Sequence, residues 1–130
     1  MPFSEVKSQK IFVSPSPYSQ ATQTQTNKVL HISGQVAQGF DGKTIARGDI
    51  VGQTEAVIEN IETIVMEQGG SLADVCKITV FVTSRDELSK VRDVRRRKFK
   101  VPYPATTTVI VAGLANEEWM IEIEAIAALP

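Results

Sequence analysis

The sequence predicts one α+β domain spanning residues 1–130, a mixed β-sheet with two helices on one of its faces. Three observations predict it. An amphipathic helical period opens near Asp49, a second opens at Ser84, and β-type runs flank and separate them in the order strands, helix, strand, helix, two strands. Two amphipathic helices can cover only one face of such a sheet. A chain of 130 residues fits one domain and can bury a core without staples.

Taken in order, Ser14-Pro15-Ser16-Pro17-Tyr18 reads as a stiff loop, because each proline fixes φ and restricts the residue before it. Val29 to Ser33 runs apolar into Gly34 and reads as a strand, and Gly39-Phe40-Asp41-Gly42 as a tight reversal. The first helix carries Ile50, Val57, Ile58, Ile61, Ile64 and Val65 at helical spacing, with Glu55, Glu59 and Glu62 on the wet side, and Gly69-Gly70 ends it. Val75 to Val82 is a strand. Strict alternation sends Cys76, Ile78, Val80 and Val82 to one face and Val75, Lys77, Thr79 and Phe81 to the other. Ser84-Arg85-Asp86-Glu87 has the spacing of a capping box. The helix that follows turns Leu88, Val91, Val94 and Phe99 inward and stops before Pro102. Ala105 to Ala112 and Trp119 to Ala128 are the last two strands, with Asn116-Glu117-Glu118 as their hairpin connection. The face away from the helices carries Met120, Glu122, Glu124 and Ile126, a mixture that suggests burial against further copies of the chain.

Composition excludes several function classes. Fourteen Lys and Arg against 15 Asp and Glu leave a net charge of −1, which gives no electrostatic footprint for nucleic acid or an anionic membrane. No stretch approaches the roughly 20 apolar residues of a membrane span, and the N-terminal residues lack the apolar core of a signal peptide. The single cysteine, Cys76, cannot form an internal disulfide, so a reducing cytoplasm is the expected location. No second His or Cys stands at metal-ligand spacing from His31 or Cys76, and no phosphate-binding glycine loop is present, so neither metal nor cofactor is expected.

Five motifs occur in register: Pro17-Tyr18-Ser19-Gln20, Ile32-Ser33-Gly34-Gln35, Val80-Phe81-Val82, Tyr103-Pro104-Ala105 and Ile121 to Ala127. In these the chain resembles the RidA/YjgF family from about Val13 to Leu129. The resemblance implies a chorismate-mutase-like fold and a homotrimer whose sheets form a central barrel, with ligand clefts between subunits. Its best-known members hydrolyse reactive enamines and imines to 2-oxo acids and ammonia without a cofactor.

The same resemblance assigns the site. Glu122 matches the glutamate that positions the attacking water, and burial in an apolar strand would suit it to proton transfer. Tyr18 matches the cleft tyrosine, while Ser33 and Gly34 match a strand end where backbone approaches the ligand. Leu88 falls where the family tends to place an aromatic. One departure matters. The imine-hydrolysing members carry an arginine after Pro-Ala, where this chain has Thr106 in the run Thr106-Thr107-Thr108. That arginine grips the substrate carboxylate with a planar fork. Its loss would cost an anionic ligand about 2–5 kcal/mol if nothing replaced it. By register Arg92, where the family often has asparagine, could enter the pocket from the helix. Otherwise Arg92, Arg95, Arg96, Arg97 and Lys98 form one solvated basic face. The hydroxyls of Thr106 and Thr108 share a face and could meet the ligand, or simply suit a strand. Glu124 and His31 read as structural, and Cys76 as core.

Two functions therefore stand before the structure: a hydrolase or deaminase acting on an imine, enamine or related amino-carboxylate, weak on the standard substrates, and a non-catalytic metabolite-binding or protein-interaction trimer. RNA cleavage, which needs a basic surface, finds support only in the Arg92–Lys98 run.

Overall fold

A computed structural model describes residues 2–130. The strands are β1 (Phe3–Val6), β2 (Ala21–Thr24), β3 (Val29–Val36), β4 (Val75–Val82), β5 (Ala105–Ile110) and β6 (Ile121–Ala128), and the helices are α1 (Ile50–Glu67) and α2 (Leu88–Lys98). Asp49 caps α1 by accepting the Gly52 N–H at 3.1 Å. Gly69 takes the left-handed conformation (φ 88°) that closes it, as glycine does without steric cost. The reversal at Gly39–Gly42 forms as expected, with Gly42 at φ 84°.

The main sheet has the order β3-β6-β4-β5, with β4 parallel to β5 and the other pairings antiparallel. This corrects the expected hairpin, since β5 and β6 do not touch and β4 lies between them. Asn116–Glu118 belongs instead to a longer connection that carries the chain back across β4. The physical reason is burial. β4 has the most continuous apolar run and gains most by pairing on both sides.

Ile78, Val80 and Val82 of β4 and Ile121, Ile123, Ala125 and Ala127 of β6 meet Val57, Ile58, Ile61 and Val65 of α1 and Val91, Val94 and Phe99 of α2 in one buried core. Both helices therefore cover the same face, as expected. Leu88 is half-buried against that core. Met120, assigned to the other face, also packs into this core. It precedes β6 and is held by its N–H donating to Gln53 Oε1 at 2.9 Å.

Alternation in β4 breaks at its start. The pairing with β6 shifts register between Val75 and Lys77, so Val75 joins the helix-side core and Cys76 turns to the opposite face. This reverses the expected sides of those two residues, because an extra residue in a ladder inverts every side chain before it. There Cys76 packs with Phe3, Ala128 and Ile126. The antiparallel pair β1–β2, which the sequence had not marked, thus covers one end of the face expected to be bare. Thr22 Oγ1 anchors it by donating to the Cys76 carbonyl at 2.8 Å.

Ser84 does not form a reciprocal box with Glu87. Its Oγ accepts from the Asp86 N–H at 3.3 Å and caps a short 3-10 turn, Arg85–Glu87, that leads into α2. The reciprocal type of contact occurs one connection earlier, where the Ser71 N–H donates to Asp74 Oδ2 at 2.8 Å.

Candidate functional site

Facing residues in a ladder share a side of the sheet. Glu122 opposes Phe81 and Val36, which puts it on the face away from the helices. In β3 the pairing with β6 jumps from Ile32↔Ala125 to Gln35↔Ile123, so Ser33 and Gly34 together oppose Glu124. This is a β-bulge, a device that re-aims side chains. It turns Gly34 onto Glu122. A Cβ built at Gly34 would overlap the Glu122 carboxylate and lie 2.9 Å from its Cγ. Glycine is thus what lets the carboxylate lie against the strand backbone. Glu122 is half-buried, less than its apolar strand suggested, because every second residue of β6 faces away from the core. Among the described residues it has no ion pair. Ser33, opposite Glu124, is exposed and lines a concavity of about 300 Å³ that also takes in His31, Lys77, Thr79 and Glu124 but not Glu122. Lys77 Nζ donates there to Thr107 Oγ1 at 3.2 Å.

A second group forms at the start of β5. Thr106 opposes Ile78 and Thr108 opposes Val80, so both point to the helix side, and Thr106 Oγ1 donates to the Pro104 carbonyl at 3.1 Å. Ser19 bridges to Ala105 on the free edge of β5, its N–H donating to the Pro104 carbonyl at 3.2 Å. This brings the adjacent Tyr18, half-buried, to the same strand end. Tyr18 lines a cavity of about 190 Å³ with Tyr103, Val13 and Val101. On α2, Leu88 is half-buried and Arg92, one turn further on, is exposed.

Sequence reasoning missed Arg95. It was counted in a solvated basic face, yet it is only 6% exposed. Its Nε and Nη1 are buried with no hydrogen-bond partner. Burial, and then repulsion from Arg92 and Arg96, pulls its pKa down to about 10. The signal was present in the spacing: Arg95 lies four residues after Val91 and four before Phe99, both inward residues.

The structure therefore brings Gly34 onto Glu122, with Ser33 in the same bulge, and brings Tyr18 to the end of β5 at which Thr106 lies. It does not bring Thr106 to Glu122, because these two lie on opposite faces of one sheet. Among the described residues, no three His, Cys, Asp or Glu side chains gather as metal ligands, and no helix is long and apolar enough to cross a membrane.

The family model described as Endoribonuclease L-PSP matches residues 9–129. The chain belongs to the RidA/YjgF family. A RutC family protein of Pyrococcus horikoshii is 41% identical over 113 residues, covering 85% of this chain and 86% of that protein. A 2-iminobutanoate/2-iminopropanoate deaminase of Capra hircus is 32% identical over 111 residues, covering 85% of this chain and 79% of that protein. Among solved structures, a protein of unknown function of the conserved Rid family, YyfB from Yersinia pestis, superposes with a TM-score of 0.90 at 27% identity, covering 99% of this chain and all of that one. The expected α+β architecture of the family is thus the one the chain adopts.

Proposed function

We propose that this chain assembles as a homotrimer and hydrolyses an imine, enamine or related amino-carboxylate in clefts between protomers, with low turnover of 2-iminobutanoate and 2-iminopropanoate. The observation that carries the reading is the division of the site. Glu122 and Gly34 lie on one face with Ser33 in the adjoining bulge, Thr106 and Leu88 lie on the helix side, and Tyr18 lies at the β5 end. Only a neighbouring copy can bring a second set opposite the first. The edges fit this arrangement. β3 and β5 are the outer strands of the sheet, and Thr107, Thr108, Val109 and Ile110 of β5 are exposed. Unpaired edges are a liability that closure into a barrel removes.

The chemistry is a hydrolysis. Glu122 accepts a hydrogen bond from a water and takes its proton as the oxygen attacks the sp² carbon of the C=N bond. The C=N π-pair moves to nitrogen, which gains a proton. The carbinolamine then forms a C=O bond as its hydroxyl loses a proton, and its C–N bond breaks with the electron pair and that proton going to nitrogen, releasing ammonia and a 2-oxo acid. The absence of an ion pair to Glu122 among the described residues supports this role, since a carboxylate held by a cation is a poor base. Ser33 and Thr106 offer neutral hydroxyls to the ligand, Thr108 lies further along the same strand, and Tyr18 offers a ring and a phenol at the strand end. Relatives at 29% and 32% identity carry the name 2-iminobutanoate/2-iminopropanoate deaminase. The near-neutral charge weighs against the ribonuclease in the family model's description.

The test couples mass and turnover. Light scattering should give three copies, and 2-iminobutanoate made in situ should be hydrolysed slowly. Glu122→Gln should abolish the residual rate, and Thr106→Arg should raise it at least about tenfold. A monomer, or fast turnover by the unaltered chain, would refute the proposal.

A further inference from the structure

Glu5 and Lys7 line one cavity, the space of about 190 Å³ beside Tyr18 and Tyr103. They carry opposite charges, yet among the described residues neither forms an ion pair, with the other or with any further group. The Glu5 carboxylate accepts from Ser19 Oγ at 3.0 Å. That hydroxyl has one proton and also stands against the Tyr103 carbonyl, so it satisfies the carboxylate only in part.

The walls of the cavity are fixed. Ser19 is buried, and Phe3, on the Glu5 side of β1, is a core residue. Gln20, also in the lining, ties down residues 8–12. Its Oε1 accepts the Ser8 N–H at 2.7 Å, and its Nε2 donates to the Ser8 carbonyl at 3.2 Å and the Phe12 carbonyl at 3.3 Å. Access is open at the charged end, where Glu5, Lys7 and Val13 are exposed.

Residues two apart in an extended chain stand about 6.6 Å apart. An α-amino acid carries its ammonium and its carboxylate on one carbon. With one charge-assisted hydrogen bond of about 2.7–2.9 Å on each side, it spans such a gap. A simple anion would meet Glu5 and a simple cation would meet Lys7, so like-charge repulsion selects against both. Tyr18 and Tyr103, both half-buried, offer ring surface to a side chain. The space is smaller than the roughly 300 Å³ at which drug-sized pockets begin, which restricts the guest to a small one.

The geometry points to a binding site for a small α-amino acid in its zwitterionic form, with Glu5 taking the ammonium, Lys7 the carboxylate and the two tyrosines the side chain. Glu122, Gly34 and Thr106 do not line this cavity, so the site stands apart from the hydrolysis proposed above.

The test is calorimetric titration of the native assembly with L-valine at low salt. L-valinamide, which lacks the carboxylate, and 3-methylbutanoate, which lacks the ammonium, are the controls. L-valine should bind at least about tenfold more tightly than either. Lys7→Met should remove the preference over L-valinamide, and Glu5→Gln the preference over 3-methylbutanoate. Lys7→Arg keeps the charge and should retain L-valine binding within about threefold. Lys10→Met, exposed and outside the lining, and Glu122→Gln should leave L-valine binding unchanged. Should Glu5→Gln weaken the fold, Lys7→Met decides by itself, since Lys7 is exposed and lies beyond β1. No L-valine binding by the unaltered chain overturns the inference, as does an undiminished preference over L-valinamide in Lys7→Met. Either outcome leaves the hydrolysis proposal standing. Binding lost in Glu122→Gln but kept in Lys7→Met also overturns the inference and returns the guest to the cleft between protomers.

Discussion

Gly34→Ala is the sharpest probe of the Glu122 site, because its sign should depend on one other residue. The added Cβ would meet the Glu122 carboxylate, with Cδ at 2.8 Å and Cγ at 2.9 Å. Carbon atoms rest at about 3.5–4.0 Å, so the side chain must move by roughly 1 Å or leave its rotamer. Overpacking of this kind costs about 1–3 kcal/mol. Against it, replacing glycine by alanine at a position without positive φ stabilises by about 0.4–1 kcal/mol through the unfolded chain. The net expectation is a loss of roughly 0–2.6 kcal/mol, together with loss of turnover as the carboxylate is displaced. In a Glu122→Ala background the three clashing atoms are gone, and Gly34→Ala should become neutral or stabilising by up to about 1 kcal/mol. Urea unfolding of the four proteins at one fixed protein concentration measures the cycle, since an oligomer's stability depends on concentration. Equal effects of Gly34→Ala in both backgrounds would show that the glycine does not hold the carboxylate and would refute the reasoning.

Other perturbations test the remaining links. Phe3, fully buried with Cys76 and Ala128, pins the β1–β2 pair to the open face, so Phe3→Ala should cost about 3–5 kcal/mol and speed hydrogen exchange across residues 3–6 and 21–24. Unchanged exchange there would refute the pinning role. Gln53, also fully buried, donates to the Glu118 carbonyl at 3.0 Å and accepts from Met120 N at 2.9 Å. Gln53→Leu should orphan both backbone groups, cost about 1–3 kcal/mol each, and loosen the connection into β6, which a lower urea midpoint would record. Arg95 binds its proton less tightly in the folded state, its pKa pulled down to about 10 first by burial and then by Arg92 and Arg96. Its charge therefore penalises folding well below pH 10, and the penalty fades as pH rises through 10 toward the ordinary arginine value. Arg95→Met should accordingly be at least as stable as the unaltered chain at pH 7, with the difference shrinking above pH 10; a difference constant through pH 11 would contradict this.

Much of the fold was legible because its signals are local. The helical stripe from Ile50 to Val65, the Asp49 cap and the Gly69 terminator each depend on residues within a turn or two of one another. The alternation of Ile78, Val80 and Val82 needs only the pleat. Within the site, Thr106 and Thr108 fall on one side for that same reason, and Gly34 and Glu122 were marked by their motifs. The misreadings share a different origin. Strand neighbours cannot be read from strand runs, so β5 and β6 looked like a hairpin while β4 took the place between them. A bulge adds no residue type of its own, so the turn of Cys76 toward Phe3 could not be seen in an alternating run.

The amino-acid order by itself thus determined the element types, the helix ends, the covered face and the family, because these follow from periodicity and from contacts close along the chain. Tertiary structure alone decided which strands pair, that Glu122 and Thr106 lie on opposite faces of one sheet, and that Arg95 is buried while Arg92 is not. Each of those depends on which distant surfaces exclude water from one another, and that is a property of the packed chain rather than of any segment.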